Sequence, residues 1–153
     1  MAKPISIFKN EEQFMEYAKM WQHYLFLDNW FVQYNLVLEP PYTDEGDVLW
    51  GVCAYNYCNS SAEISVFNGK ELDGEKNCAE VTLVHELLHL RPEYIFSNPL
   101  VSGIENKYLE ANIHQALESM SKSLVMARYN LDTDFFNGGM AIYGKTTAEK
   151  AKK

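Results

Sequence analysis

Basic residues are scarce in this chain: 13 lysines and arginines stand against 21 aspartates and glutamates in 153 residues, a net charge of −8. Residues 145–153, KTTAEKAKK, hold four of those lysines and one glutamate, so the rest of the chain carries −11. A body this acidic lacks the positive groove that a nucleic-acid partner needs, and long-range attraction would favour basic peptide segments instead. Long apolar runs are missing too. No stretch approaches the roughly 20 residues of a membrane helix, and the opening MAKPISIFKN has no apolar core of a secretory signal; a cytoplasmic location and no membrane partner are expected. Cysteine is limited to Cys53, Cys58 and Cys78, an odd set that excludes a disulfide framework and suits free thiols in a reducing compartment. A lone C-x4-C pair is too weak a pattern to assign a second zinc. Internal repeats are absent. With 47% hydrophobic residues the chain can bury one core, so residues 1–135 are expected to form a single domain. Residues 136–153, set off by Gly138-Gly139 and Gly144, read as a flexible Gly/Lys-rich tail.

Histidine is also rare, with 4 in the chain, yet two of them fall in His85-Glu86-Leu87-Leu88-His89, an H-E-x-x-H motif inside an apolar run. Positions four apart lie on one face of a helix and can aim two imidazoles at one metal ion. Glu86, beside that face, is placed to take a proton from a water on the ion, the division of labour of metalloprotease sites. Val81, Val84, Leu87, Leu88 and Leu90 surround the motif on several faces, which predicts a central helix. Asn77 with Glu80 predicts an N-cap and capping box, and Arg91-Pro92 predicts the helix end. Extended backwards, the ligand face reads Cys78, Thr82, His85, His89, with Cys78 too far along the helix to share the ion.

A catalytic zinc takes three protein ligands and leaves a fourth position open. A second helical pattern, roughly Ile104 to Tyr129, carries Leu109, Ile113, Ala116, Leu117, Met120 and Leu124 as one stripe, with Glu105, Glu110, His114 and Glu118 as candidate ligands. On a helical projection Glu110 and Glu105 fall nearest the stripe's edges, His114 lies further round, and Glu118 is almost opposite and expected in solvent. Glu110 is therefore the first choice for third ligand. His114, one turn on, is the choice for stabilising the oxyanion, ahead of Tyr108 and Arg91.

Upstream, Phe14, Tyr17, Ala18, Trp21, Tyr24 and Leu25 recur at helical spacing and predict a first helix over 11–27. Residues 31–38, 48–57 and 62–67 read as strands, with a turn at Asn59-Ser60-Ser61. The expected fold class is α+β: an N-terminal helix, a small three-stranded sheet, and a motif helix packed against a long C-terminal ligand-bearing helix.

HELLHL followed by YLEANIHQALESM resembles the single-domain gluzincin-type zinc metallopeptidases, especially the compact ImmA/IrrE-like proteins of phages and prophages, over roughly residues 30 to 125. In that group a helical glutamate is followed by small or apolar residues three and seven places later, as Glu110 is by Ile113 and Leu117. The resemblance implies a zincin-like domain with zinc on His85, His89 and Glu110, Glu86 as general base, and a protein or peptide substrate. SprT-like proteins share the first motif but use a third histidine, which would promote His114. By analogy with such peptidases, the strand 62–67 would edge the cleft and pair with extended substrate. The competing expectation is a phage-type interaction or regulatory protein that binds metal and cleaves nothing.

Overall fold

The computed structural model of the chain describes residues 2–91, 107–132 and 134–137, with the side chains of 107–111, 134 and 137 outside that set. Helix α1 (Glu11–Tyr24) begins where Asn10 accepts the backbone N–H of Gln13 on its side chain, and it buries Phe14, Ala18 and Trp21. It ends one turn short of the expected boundary, because Phe26 takes a left-handed backbone conformation (φ 56°). Strands β1 (Phe31–Val37), β2 (Gly51–Asn56) and β3 (Ser61–Phe67) follow, each inside or within one residue of its expected span. The β2–β3 turn lies at 57–60, beginning two residues and ending one residue before the expected 59–61, with Ser60 at φ 52°. A short hairpin of β4 (Glu71–Leu72) and β5 (Glu75–Lys76), unanticipated in the sequence, leads into α2 (Ala79–Leu88). Beyond it come α3 (Lys107–Tyr129) and the short α4 (Asp134–Asn137).

The sheet order is β1-β3-β2, with β3 parallel to β1 and antiparallel to β2. This corrects one expectation: residues 62–67 are the central strand, hydrogen-bonded on both sides, and cannot accept a further strand. Among the described residues, the free edge facing the cleft belongs to β2. Alternation along β3 buries Ala62, Ile64 and Val66 against the helices and turns Glu63 to solvent on the other face. An α+β architecture results, with α2 between the sheet and α3. No helix among the described residues is long and apolar enough to cross a membrane. Phe136, assigned by the sequence to the tail, is buried in the core cluster, so the packed body extends past residue 135. Residues 138–153 lie outside the described ones.

Helix α2 is apolar nearly all round: eight of its residues are buried, leaving Thr82 and His85 partly open. Its start differs from the expected capping box. Cys78 is the N-cap residue and makes no capping hydrogen bond through its side chain. Asn77 instead donates to the carbonyls of Phe67 and Gly69. Glu80 is fully buried, so it cannot fold back as a capping partner; its carboxyl accepts hydrogen bonds from the Ile5 N–H (2.9 Å), Trp21 Nε1 (2.9 Å) and the Tyr129 hydroxyl (2.8 and 3.0 Å). One acid thereby joins the N-terminal segment, α1, α2 and α3. Arg128 lies 3.8 Å away through Nε, its guanidinium carbon within 6.0 Å of the Tyr17, Trp21, Tyr24 and Tyr129 ring centres.

Replacing Glu80 by alanine leaves three donors without their acceptor, and a loss of about 3–5 kcal/mol in urea unfolding is expected. Glu80→Gln, which keeps an acceptor, should cost distinctly less in the same measurement.

Candidate metal centre

The last turn of α2 carries the motif. The regular helix ends at Leu88, ahead of Arg91-Pro92, and tightens as the N–H groups of His89, Leu90 and Arg91 bond three residues back. Pro92 lies outside the described residues. His89 keeps right-handed helical angles (φ −59°, ψ −22°) as the C-cap residue, which holds its ring one turn from that of His85, with ring centres 5.1 Å apart. The Tyr57 hydroxyl donates to the His89 carbonyl at 3.3 Å. As the ligand stripe predicts, Cys78, Thr82, His85 and His89 all line one cleft, whose volume is about 540 Å³.

His114 of α3 faces the same point. Its ring stacks on that of His85 (5.7 Å, 16°) and meets that of His89 edge-on (4.9 Å, 63°). One ligating atom from each of His85, His89 and His114 falls within 4.8 Å of the others, the metal-capable group among the described residues. The Glu110 side chain and all of Glu105 lie outside those residues, as does the Tyr108 side chain. Arg91 is exposed and is not among the residues lining the cleft. Cys53 and Cys58 are unpaired thiols, one half-buried on β2 and the other exposed, and neither belongs to the metal-capable group.

Glu118 overturns its expected place in solvent. It lies half-buried in the cleft wall, with Oε2 3.2 Å from His85 Nδ1 and Oε1 3.0 Å from Lys122 Nζ. The projection failed here because the buried face of α3 runs through Leu117, Ser121 and Val125, turned towards Glu118, while Ala116 and Met120 of the expected stripe are exposed. His85 Nδ1 is buried with this carboxylate at ion-pair distance, though without the geometry of a hydrogen bond. Contacts with His85 and Lys122 outweigh the opposing effect of burial and hold the Glu118 carboxyl below the usual carboxylate range.

Glu86 lies on the sheet side of the imidazoles. It is 6% exposed, and its Oε2 is 3.9 Å from His89 Nε2. Burial raises its carboxyl to about 7, a rise that His85 opposes and Glu118 reinforces. Burial, then His85 and His114, lowers His89 to about 4, so its imidazole is neutral at pH 7. Cys53, opposite on β2, is pushed up to about 12 by burial and by Glu86 and remains a thiol.

These groups suit a divalent transition metal. Ligation requires neutral imidazoles, and three nitrogen donors could hold one ion with a cleft on its open side. Comparison with protein-family models, curated proteins and solved structures found no match to this chain.

Two measurements test these electrostatics. A buried carboxyl that titrates near 7 when folded loses stability as pH rises from the unfolded value through 7. Metal-free Glu86→Gln is therefore expected to exceed the wild type by roughly 2–3 kcal/mol at pH 8, with the difference vanishing by pH 4 in denaturant titrations. Glu118→Gln should weaken zinc affinity by about 10- to 100-fold in competition with a chelator, because it removes the charge behind His85.

Proposed function

We propose that the protein is a zinc metallopeptidase whose metal is held by His85, His89 and His114, with Glu86 as general base. The supporting observation is the convergence of three imidazoles from two helices within 4.8 Å, with the Glu86 carboxyl 3.9 Å from one of them. A metal-binding module needs the imidazoles alone; a buried proton acceptor beside them is what hydrolysis adds. This assignment gives the third position to His114 in preference to Glu110 and places the chain nearer the three-histidine, SprT-like pattern. As a ligand, His114 is no longer the choice for the oxyanion. A zincin-like fold, finer than the α+β arrangement, belongs to the same proposal, as does a cytoplasmic setting in keeping with three free thiols.

When bound, zinc would polarise the scissile carbonyl and acidify an attacking water. Glu86 would accept the proton from that water and return it to the departing amine. Glu118 keeps the His85 ring turned into the cleft by charge, and Lys122 fixes Glu118 in turn. An extended peptide would lie along β2, which has β3 on one side and no partner strand on the other among the described residues. Leu49, Trp50 and Phe136 line the same cleft and offer apolar contact to a side chain of that peptide.

The experiment is a search for newly created peptide termini, with zinc content measured on the same samples. Wild type is expected to hold one zinc and generate termini, and Glu86→Gln to hold zinc with turnover reduced by about 10²–10⁴-fold. His114→Ala should lose the metal, and Glu110→Ala should retain it. Termini in both wild type and Glu86→Gln, or in neither, would overturn the peptidase reading, and a zinc-free wild type would overturn the site.

A further inference from the structure

The general base has a neighbour with no side chain. Gly51 opens β2 and pairs with the fully buried Val66, which turns its α-carbon toward α2 on the inner face of the sheet. A β-carbon at this position would lie 2.8 Å from Thr82 Cγ2, 2.9 Å from Glu86 Oε1 and 3.0 Å from Glu86 Cγ. The backbone does not demand a glycine here: positive φ occurs at Gly46 and Gly74 and not at Gly51. The requirement is for space.

We infer that Gly51 is a positioning residue for Glu86: its missing side chain leaves the pocket that holds the carboxylate beside the imidazoles. This inference rests on the reading of Glu86 as general base. Which group would yield to an added methyl follows from what holds each one. Strand β2 is held along its length by β3, and Trp50 beside it accepts the Phe67 N–H at 2.8 Å. Helix α2 is packed between the sheet and α3. Thr82 is β-branched and stiff within the helix. The carboxylate end of Glu86 hangs on rotatable bonds and moves most easily. An alanine at 51 therefore requires a small adjustment of the Thr82 methyl as well, and the carboxylate end of Glu86, the more mobile of the two, takes the larger displacement. Displacement of a proton acceptor by about 1 Å costs on the order of 10²-fold in rate. His85, His89 and His114, which would hold the metal, have no atom among those a β-carbon at 51 would meet, so metal binding is expected to be kept.

The test compares full-length, zinc-loaded wild type and Gly51→Ala by crystallography, zinc content, melting temperature and steady-state kinetics on a peptide identified from the termini search. Expected are a Glu86 carboxylate shifted from its wild-type place, three unmoved imidazoles, one zinc per chain, melting within a few degrees of wild type, and kcat down by about 10²-fold at unchanged KM. A carboxylate that stays in place, or one that moves while kcat is kept, overturns the inference. So does a loss of zinc or a collapse in melting temperature, either of which would make Gly51 a general packing residue. If wild type cleaves no peptide, the peptidase reading fails, while the crystallographic position of Glu86 still decides whether Gly51 shapes its pocket.

Discussion

The carboxyl of Glu80 has no contact with solvent and four hydrogen bonds from three donors, and the position of α2 depends on it. Hydrophobic packing alone lets a helix that is apolar nearly all round slide or rotate, since one buried methyl replaces another at small cost. A buried acid does not slide, because every alternative register leaves it and its donors unsatisfied. Glu80 fixes the first turn of α2 against the Ile5 backbone, Trp21 of α1 and Tyr129 of α3. The last turn, carrying the histidines, is thereby set in angle and height.

The same helix buries a second acid under opposite terms. Glu86, six residues on, is 6% exposed, and its carboxyl rises to about 7 where Glu80 finds a full set of donors. On the proposed reading, the contrast separates a structural carboxyl from a chemical one. Buried groups that proteins keep without full satisfaction cluster where proton transfer is performed. The close passage of Gly51 against Glu86, and the Cys53 thiol nearby, give this second acid a wall that offers little charge to stabilise its ionised form.

Much of this was legible in the chain. The 3.6-residue period of Phe14, Ala18 and Trp21, the β-branched content of 31–38 and 62–67, and the HELLH spacing each act through local geometry, so the helices, strands and ligand stripe emerged within a few residues of where they lie. Long-range choices were hidden. Strand order cannot be read from strand propensity, and the central strand was mistaken for the edge. Asn77 and Glu80 have the spacing of a capping box, but tertiary partners 59 and 75 residues away claimed Glu80. A stripe drawn from apolar residues alone misplaced the buried face of α3, which runs through Leu117, Ser121 and Val125 and brings Glu118 and His114 to α2. Its signal in the sequence was polar: a histidine, a glutamate and a lysine at four-residue steps, His114, Glu118 and Lys122.

Two of the three imidazoles sit on α2 and the third on α3, with 24 residues of chain between His89 and His114. An ion bridging them closes a loop of that length, and loop closure is entropically costly in the unfolded chain, where the ligands are scattered. Metal binding of the kind proposed would therefore be folding free energy as much as catalysis. Stability gained in this way grows with the logarithm of free metal concentration. The docking of α3 on α2 then becomes a gauge of metal supply, and scarcity would act on the protein's lifetime in the folded state before it acted on any turnover.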